Sequence, residues 1–350
     1  MHTGAATQPR AKTAFVTGGT GFLGLNLVER LSADGWRVLA LHRATSDLTY
    51  LKRLRVDLVE GSIEDARSLD LAVPAEVDVI YHVAGDVSFW SRHRDRQTRT
   101  NVEGTRNVVA AALKRGAKLV HTSTTSVYGF QPSAFDETAP HLGRDSWFHY
   151  MHTKAVAEEI VRDGVARGLD AVMLNPANII GPYDRHNWAR LVLLAAASKL
   201  PRIPPGCGTF CHAVEVAKAH IAAAEHGRTG ENYILGGADA SFADLVRTIG
   251  EVVGRKVPTR TLRPRVMRAA GRILGWVSIV TRREPVVTPE SAAFLCADLT
   301  CKSDKAIREL AYRPATLQAM VTDCYRWLIA EGFLTTTSSS SLVGEDRRAT

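Results

Sequence analysis

Tyr150, Met151, His152, Thr153 and Lys154 form a Tyr-x-x-x-Lys box, a phenol and an ammonium four residues apart. On a helix that spacing puts both side chains on one face, one turn apart, so Lys154 can hold its charge beneath the Tyr150 phenol and the ribose of a bound nicotinamide. A free phenol titrates at ~10, too high to exchange protons near neutrality. An ammonium and the positive ring of an oxidised nicotinamide both favour phenolate and lower that value. Thr124, in the run His121–Gly129 that ends a strand candidate, places a hydroxyl on the same sheet edge, able to hydrogen-bond a substrate oxygen. The chemistry implied is hydride exchange between a dinucleotide and a carbonyl carbon, with Tyr150 protonating the oxygen in reduction and taking the proton back in oxidation. Tyr128 stands near the same strand end but lacks a lysine one turn on, and is assigned to packing or to the substrate side.

Such chemistry needs a dinucleotide, and the chain offers a site near its start. Thr17-Gly18-Gly19-Thr20-Gly21-Phe22-Leu23-Gly24 follows the apolar strand candidate Thr13–Thr17. Glycines at 18, 21 and 24 allow a tight turn, close approach of backbone to a pyrophosphate and packing of the next helix on the sheet. That helix presents its N-terminal amides, Phe22 and Leu23 among them, to the anion. An NAD-preferring site commonly offers an acid at the end of the second strand, ~20 residues on. Here Leu41-His42-Arg43 stands there and the next acid is Asp47. Arg43 can pair with a 2′-phosphate, so NADP is favoured over NAD.

The elements that must position these groups alternate along the chain. Strand candidates are Thr13–Thr17, Arg37–Leu41, Val56–Glu60, Val77–His82, Lys118–Thr122 and Ala171–Leu174, and helical patterns such as Phe22–Asp34, Asn101–Arg115 and Tyr150–Gly168 lie between them. This predicts an α/β, Rossmann-type, doubly wound parallel sheet. After Pro182 the pattern turns mostly helical, with one strand candidate at Glu231–Leu235. The expected organisation is a flexible N-terminus (1–12), a dinucleotide-binding core (13–182), a smaller, mostly helical substrate lobe interleaved with it (183–333) and a disordered Thr/Ser-rich tail (334–350).

With 350 residues and 45% apolar content the chain can bury a large core. Met1–Lys12 has no apolar run of signal-peptide type, and no stretch approaches the ~20 apolar residues of a membrane span, so a cytoplasmic location is expected. Five cysteines, at 207, 211, 296, 301 and 324, point to reduced thiols. Cys207, Cys211 and His212 lack a second cluster to complete a tetrahedral site, so no metal is expected. The net charge of +8 is local, because residues 252–283 hold nine basic groups and no acid. Within them Val266, Met267, Ala270, Ile273, Leu274 and Val277 fall mainly on one helical face and Arg265, Arg268 and Arg272 on the other. Such a helix suits the surface of the substrate lobe, contact with a membrane or apolar substrate through 265–280, or an anion clamp. No nucleic-acid reading motif accompanies the basic segment, and a small-molecule substrate is the expected partner. A homodimer through helices on the sheet face is compatible with this layout.

These motifs together resemble the extended short-chain dehydrogenase/reductase family, the NAD-dependent epimerase/dehydratase superfamily, from about Thr13 to Phe333. The marks are Thr17-Gly18-x-x-Gly21-x-x-Gly24, Gly61-Ser62-Ile63, His82-Val83-Ala84-Gly85, Asn101-Val102-Glu103-Gly104-Thr105, Ser123-Thr124, the Tyr150/Lys154 box and Asn175-Pro176-Ala177-Asn178-Ile179-Ile180-Gly181-Pro182. The resemblance implies Thr124 as the catalytic hydroxyl, Ser62 and Ile63 beside adenine, Val83, Ala84 and Gly85 along the cofactor, Asn101 among its contacts, and Pro176, Ala177 and Ile179 beside the nicotinamide. Ser62 departs from the aspartate that often stands there. Thr124-Thr125-Ser126 replaces the Thr-Asp-Glu of sugar-nucleotide dehydratases, which removes the carboxylate that eliminates water. The second strand and the region Arg265–Phe333 look more like the dihydroflavonol-reductase and 3β-hydroxysteroid-dehydrogenase branches, which act on bulky apolar cyclic ketones and alcohols. An NAD-dependent sugar-nucleotide epimerase and a non-catalytic NADP-binding sensor or scaffold are the alternatives.

Overall fold

Strands buried on both faces read as continuous apolar runs, and the centre of this fold is built of them. The computed structural model describes residues 10–335. Strands β1 (Thr13–Thr17), β2 (Arg37–His42), β3 (Asp57–Glu60), β4 (Val79–His82), β5 (Lys118–Thr122) and β6 (Ala171–Pro176) are followed by β7 (Asn178–Ile180), β8 (Cys207–His212), β9 (Asn232–Leu235), β10 (Ala238–Ser241) and β11 (Asp298–Leu299). Seven of them make one sheet in the order β3-β2-β1-β4-β5-β6-β9, parallel throughout. The order reverses between β1 and β4, and a crevice opens outside the carboxyl ends of the strands at such a switch point.

The helices are α1 (Phe22–Ala33), α2 (Ala66–Ala72), α3 (Arg94–Thr98), α4 (Gly104–Arg115), α5 (His149–Ala166), α6 (Ala189–Ala196), α7 (Ala213–His226), α8 (Phe242–Val253), α9 (Pro264–Thr281), α10 (Pro289–Phe294), α11 (Asp304–Leu310) and α12 (Leu317–Ala330). Alternate strand residues feed two cores. Ala14, Val16, Tyr81, Val120 and Val172 pack beneath α1 and α7, while Phe15, Ile80, Leu119 and Met173 pack beneath α4 and α5.

The C-terminal lobe has its own core of Phe210, Phe242, Leu245, Ile249, Val321 and Leu328. Trp188 seals it, stacked on Phe242 at 5.6 Å between ring centroids. The predicted strand Glu231–Leu235 is not part of this lobe: as β9 it closes the main sheet beside β6. The lobe instead holds a small sheet of β7, β8, β10 and β11. Cys207–His212 (CGTFCH) has neither alternation nor an apolar run, which is why periodicity did not reveal β8. Cys207, Cys211 and His212 share that strand, and no group of three potential metal ligands occurs among the described residues.

Helix α9 lies on the surface with most of its apolar arc turned outward. Of its apolar residues only Met267 is fully buried, whereas Val266, Ile273 and Val277 face outward. The helix leans on α10 through its small residues: a Cβ on Gly271 would meet the Ala292 Cβ at 2.8 Å, and one on Gly275 the Pro289 ring at 3.2 Å. No helix among the described residues is long and apolar enough to cross a membrane. The segments expected to be unstructured, 1–12 and 334–350, lie outside the described residues except at their inner edges, where Arg10 pairs with Asp78 at 2.9 Å and Lys12 with Glu225 at 2.7 Å.

Candidate active site

Gly18 leaves β1 in the left-handed region (φ 73°), and its turn is closed by the Gly21 amide donating to the Gly18 carbonyl at 3.0 Å. Close approach explains the glycines. A Cβ on Gly18 would lie 2.5 Å from the Ala84 nitrogen, and one on Gly24 would lie 2.1 Å from the Gly18 oxygen. The loops after β1 and β4 are further joined by Thr17, whose hydroxyl bonds His82 Nδ1 at 2.8 Å and accepts from the Ala84 amide at 3.3 Å. Helix α1 starts at this turn with no side-chain cap and no acid in its first turn. Its free amides and dipole therefore face the cleft, the arrangement that holds a pyrophosphate.

The cleft runs along the strand ends in two connected halves of about 690 and 640 Å³. Gly18, Gly21, Arg43, Ser62, Ile63, Val83, Ala84 and Gly85 line the first half. Arg43 is exposed there and forms no ion pair among the described residues, while Asp47 turns toward Arg185 at 3.6 Å. Phe22, Leu23, Gly24, Thr124, Tyr150, Lys154, Pro176, Ala177 and Ile179 line the second half. Asn101 is placed differently. It lies in a π-helical turn between α3 and α4, with its amide oxygen accepting from the Asp86 nitrogen at 2.8 Å and its amide nitrogen donating to the Asp86 carbonyl and to Thr153 Oγ1 at 3.0 and 3.1 Å. It braces the loop after Gly85 from behind the wall of the cleft. An uncapped helix start, a glycine turn and a free guanidinium at the far end fit a dinucleotide.

Tyr150 sits in the first turn of α5 and Lys154 one turn later. The Lys154 ammonium donates to the Thr122 carbonyl at 2.7 Å. Burial pushes it down to about 8, opposed by the carboxylate of Glu158. The phenol behaves contrary to the sequence expectation. Its surroundings withdraw water from it and push it up to about 12, against which the Thr124 hydroxyl exerts a smaller lowering effect. Thr124 accepts from the Ser126 amide at 3.2 Å, which leaves its own hydroxyl hydrogen free to donate.

A buried polar network behind the site carried no motif. Glu158, 1% exposed, accepts from Asn175 at 2.6 Å and from Asn232 at 3.0 Å, and Arg162 reaches its other oxygen at 3.2 Å. Asn175 also donates to the Thr124 carbonyl at 3.1 Å. One carboxylate thus couples the helix of Tyr150 and Lys154 to the loop of Thr124. Its position one turn beyond Lys154 was the only sequence signal. His82 lies near by, its ring nitrogens engaged by Thr17 and Thr105 and its basicity pushed down to about 3 by burial and by Lys154.

Above Tyr150 the wall is apolar. Phe89 stands 5.8 Å from the ring centres of both Tyr150 and Phe294, and Trp188 and Leu295 complete the lining. Among the described residues, Lys154 and Glu284 are the only charged ones that line this half. Phe89, Trp188 and the pair Phe294-Leu295 come from three distant parts of the sequence and belong to no motif, so only the fold assembles them. Tyr128 is fully buried against Phe135 and His141 and packs the core.

Residues 14–236 match the model of the NAD dependent epimerase/dehydratase family. The chain is 30% identical to "sterol demethylase protein B" of Methylococcus capsulatus, over 92% of this chain and 100% of that one. It is 30% identical to a 3-beta-hydroxysteroid dehydrogenase of Mycolicibacterium neoaurum, over 91% of this chain and 93% of the relative. Its fold is also that of a nucleoside-diphosphate-sugar epimerase from Pseudomonas aeruginosa, with a TM-score of 0.76 at 20% identity over 93% of this chain and 100% of the other. A glycine turn at the switch point, a cleft long enough for a dinucleotide and these relatives converge: the chain belongs to the NAD dependent epimerase/dehydratase family, the extended short-chain dehydrogenase/reductases, and is an NAD(P)-dependent oxidoreductase.

Proposed function

We propose that this enzyme interconverts a ketone and a secondary alcohol on a bulky, apolar, cyclic small molecule, using NADP(H) in preference to NAD(H). The observation that carries the substrate class is the wall above Tyr150, formed by Phe89, Trp188, Phe294 and Leu295. Rings of this kind favour flat apolar ligands, and sites of this size bury most of one. The sterol and steroid names of two relatives support the same class. A sugar nucleotide is disfavoured, because this half of the cleft offers its diphosphate no arginine.

In this reading the first half of the cleft holds the adenosine end, with Arg43 set to pair with a 2′-phosphate, and the amides of Phe22 and Leu23 hold the pyrophosphate. The nicotinamide dinucleotide supplies hydride in reduction and accepts it in oxidation. Thr124 donates to the substrate oxygen and fixes it beside the phenol. Tyr150 gives that oxygen its proton in reduction and removes it in oxidation. Lys154 holds positive charge one turn below, favouring the phenolate left after proton transfer. The aromatic wall excludes water from the reacting carbon.

Tyr150→Phe tests the assignment. With a panel of cyclic ketones and NADPH, kcat should fall by roughly 10²–10⁴-fold while NADPH affinity, read by fluorescence titration, changes little. Unchanged output in the variant would turn the reading toward a non-catalytic NADP-binding sensor. Tightly retained NAD released only on denaturation, with turnover of a sugar nucleotide, would replace it with an epimerase.

A further inference from the structure

Of the thirteen large apolar side chains exposed among the described residues, six lie on α9: Val266, Ile273, Trp276, Val277, Ile279 and Val280. Trp276 and Val280 are 75% and 84% exposed. At 3.6 residues per turn, Val266, Ile273, Trp276, Val277 and Val280 fall within about 100° of arc, roughly opposite the buried stripe of Met267, Gly271 and Ser278. Arg265, Arg268 and Arg272 border that arc along one edge. None of the nine basic residues between 252 and 283 forms an ion pair among the described residues, and no acid lies between them. Trp147, 57% exposed, joins Trp276 and Arg272 in lining a cleft of about 300 Å³ beside the helix.

An outward apolar stripe of this extent is costly in water and marks a contact surface. Its flanking charge selects the partner. A second copy of the chain would set unpaired arginines against one another, which like-charge repulsion opposes. An anionic lipid surface satisfies both features, taking the apolar residues and tryptophans at its headgroup boundary and the arginines among its headgroups. We propose that α9 is an interfacial anchor that docks the protein on an anionic bilayer, lying in the plane of the interface without crossing it. The α9–α10 hairpin also carries Phe294 and Leu295 into the cleft, so the docking element and one wall of the active site are a single unit. The docking does not depend on the identity of the substrate.

Co-sedimentation of the full chain with vesicles of phosphatidylcholine alone and of phosphatidylcholine containing about one third phosphatidylglycerol tests this. Three arginines near the surface should make binding to the anionic vesicles roughly a hundredfold tighter. Tryptophan emission should shift to the blue on binding. The double variant Ile273→Glu/Val280→Glu should weaken sedimentation at least tenfold, and Arg265→Gln/Arg268→Gln/Arg272→Gln should remove the preference for phosphatidylglycerol. All five side chains are exposed, so dinucleotide binding and thermal unfolding should match the parent, which separates loss of docking from loss of fold. Equal sedimentation with both vesicle types, or binding indifferent to the double variant, overturns the proposal. A dimer in analytical ultracentrifugation that Ile273→Glu/Val280→Glu dissolves, without lipid binding, overturns it in favour of an interface between copies.

Discussion

Replacing Glu158 by Gln should disarm Lys154 without touching the cleft. Lys154 is held at about 8 by a balance in which burial lowers its basicity and the Glu158 carboxylate raises it. Charges four residues apart on a helix are separated by about 6 Å, and at an effective dielectric of about 20 they attract by roughly 2.8 kcal/mol, or about two pKa units. Neutralising Glu158 therefore moves Lys154 from about 8 toward about 6. At pH 7.5 its protonated fraction falls from about three quarters to about 3%, a loss of roughly 25-fold in the charged form. Glutamine keeps the volume and one acceptor for Asn175 and Asn232, so the variant should fold, less stable by about 1–3 kcal/mol for the donors left unpaired. The assay needs no substrate: in protein carrying ¹³C-labelled lysine, the Cε resonance of Lys154 is followed against pH in parent and variant, with Lys154→Arg supplying the assignment. A folded Glu158→Gln protein whose Lys154 still titrates near the parent midpoint would refute the reasoning, and burial alone would then set the lysine.

Burial pushes His82 down to about 3, His220 to about 4 and His121 well below its ordinary range. The unfolded chain binds a proton at each near ~6.5 while the fold does not, so their contribution is complete above that pH and is lost as pH falls toward 4. At pH 5 His82 and His220 each cost roughly 2 kcal/mol, and Tm should drop steeply between pH 6.5 and 5; a flat melting temperature across that window contradicts the prediction. Gly24→Ala sets a methyl where only 2.1 Å separates it from the Gly18 oxygen, so the glycine turn must open, and calorimetry should show dinucleotide affinity down at least tenfold. An affinity equal to the parent's would mean the turn does not hold the pyrophosphate. Arg43→Ala should weaken NADPH about tenfold and leave NADH unchanged, a ratio read by fluorescence titration; equal effects on both would remove the assigned 2′-phosphate contact.

The parallel sheet was legible because its central strands are buried on both faces and so appear as unbroken apolar runs. β1, β2 and β5 begin where those runs begin, and β6 only extends to Pro176. The lobe was less legible because its strands are short and mixed in composition: β8 is held by pairing with β7, β10 and β11, which no local pattern encodes. At the site, the glycine turn and the Tyr-x-x-x-Lys box are each recognisable from local spacing, and the parallel sheet brings the two to one cleft. Glu158 and the aromatic wall escaped for the opposite reason. Asn175 and Asn232 meet Glu158 from β6 and from β9, the strand expected in the other lobe, and nothing in any one segment signals that convergence.

Helix α9 shows how a local pattern can give the faces of a helix without giving the direction in which they point. Its apolar residues suggested a face centred between Met267 and Val277, and burial of that face would satisfy the hydrophobic effect most simply. The observed contact is rotated toward Gly271, Gly275 and Ser278, because glycines let α10 approach to distances that any side chain would forbid. Close packing of two backbones recovers dispersion along the whole contact, and Trp90 adds a hydrogen bond to Ser278 at 3.4 Å. The seat on α10 thereby turns Ile273, Trp276 and Val280 outward. This outward face, bordered by arginines without ion pairs among the described residues, is the surface we propose meets an anionic bilayer.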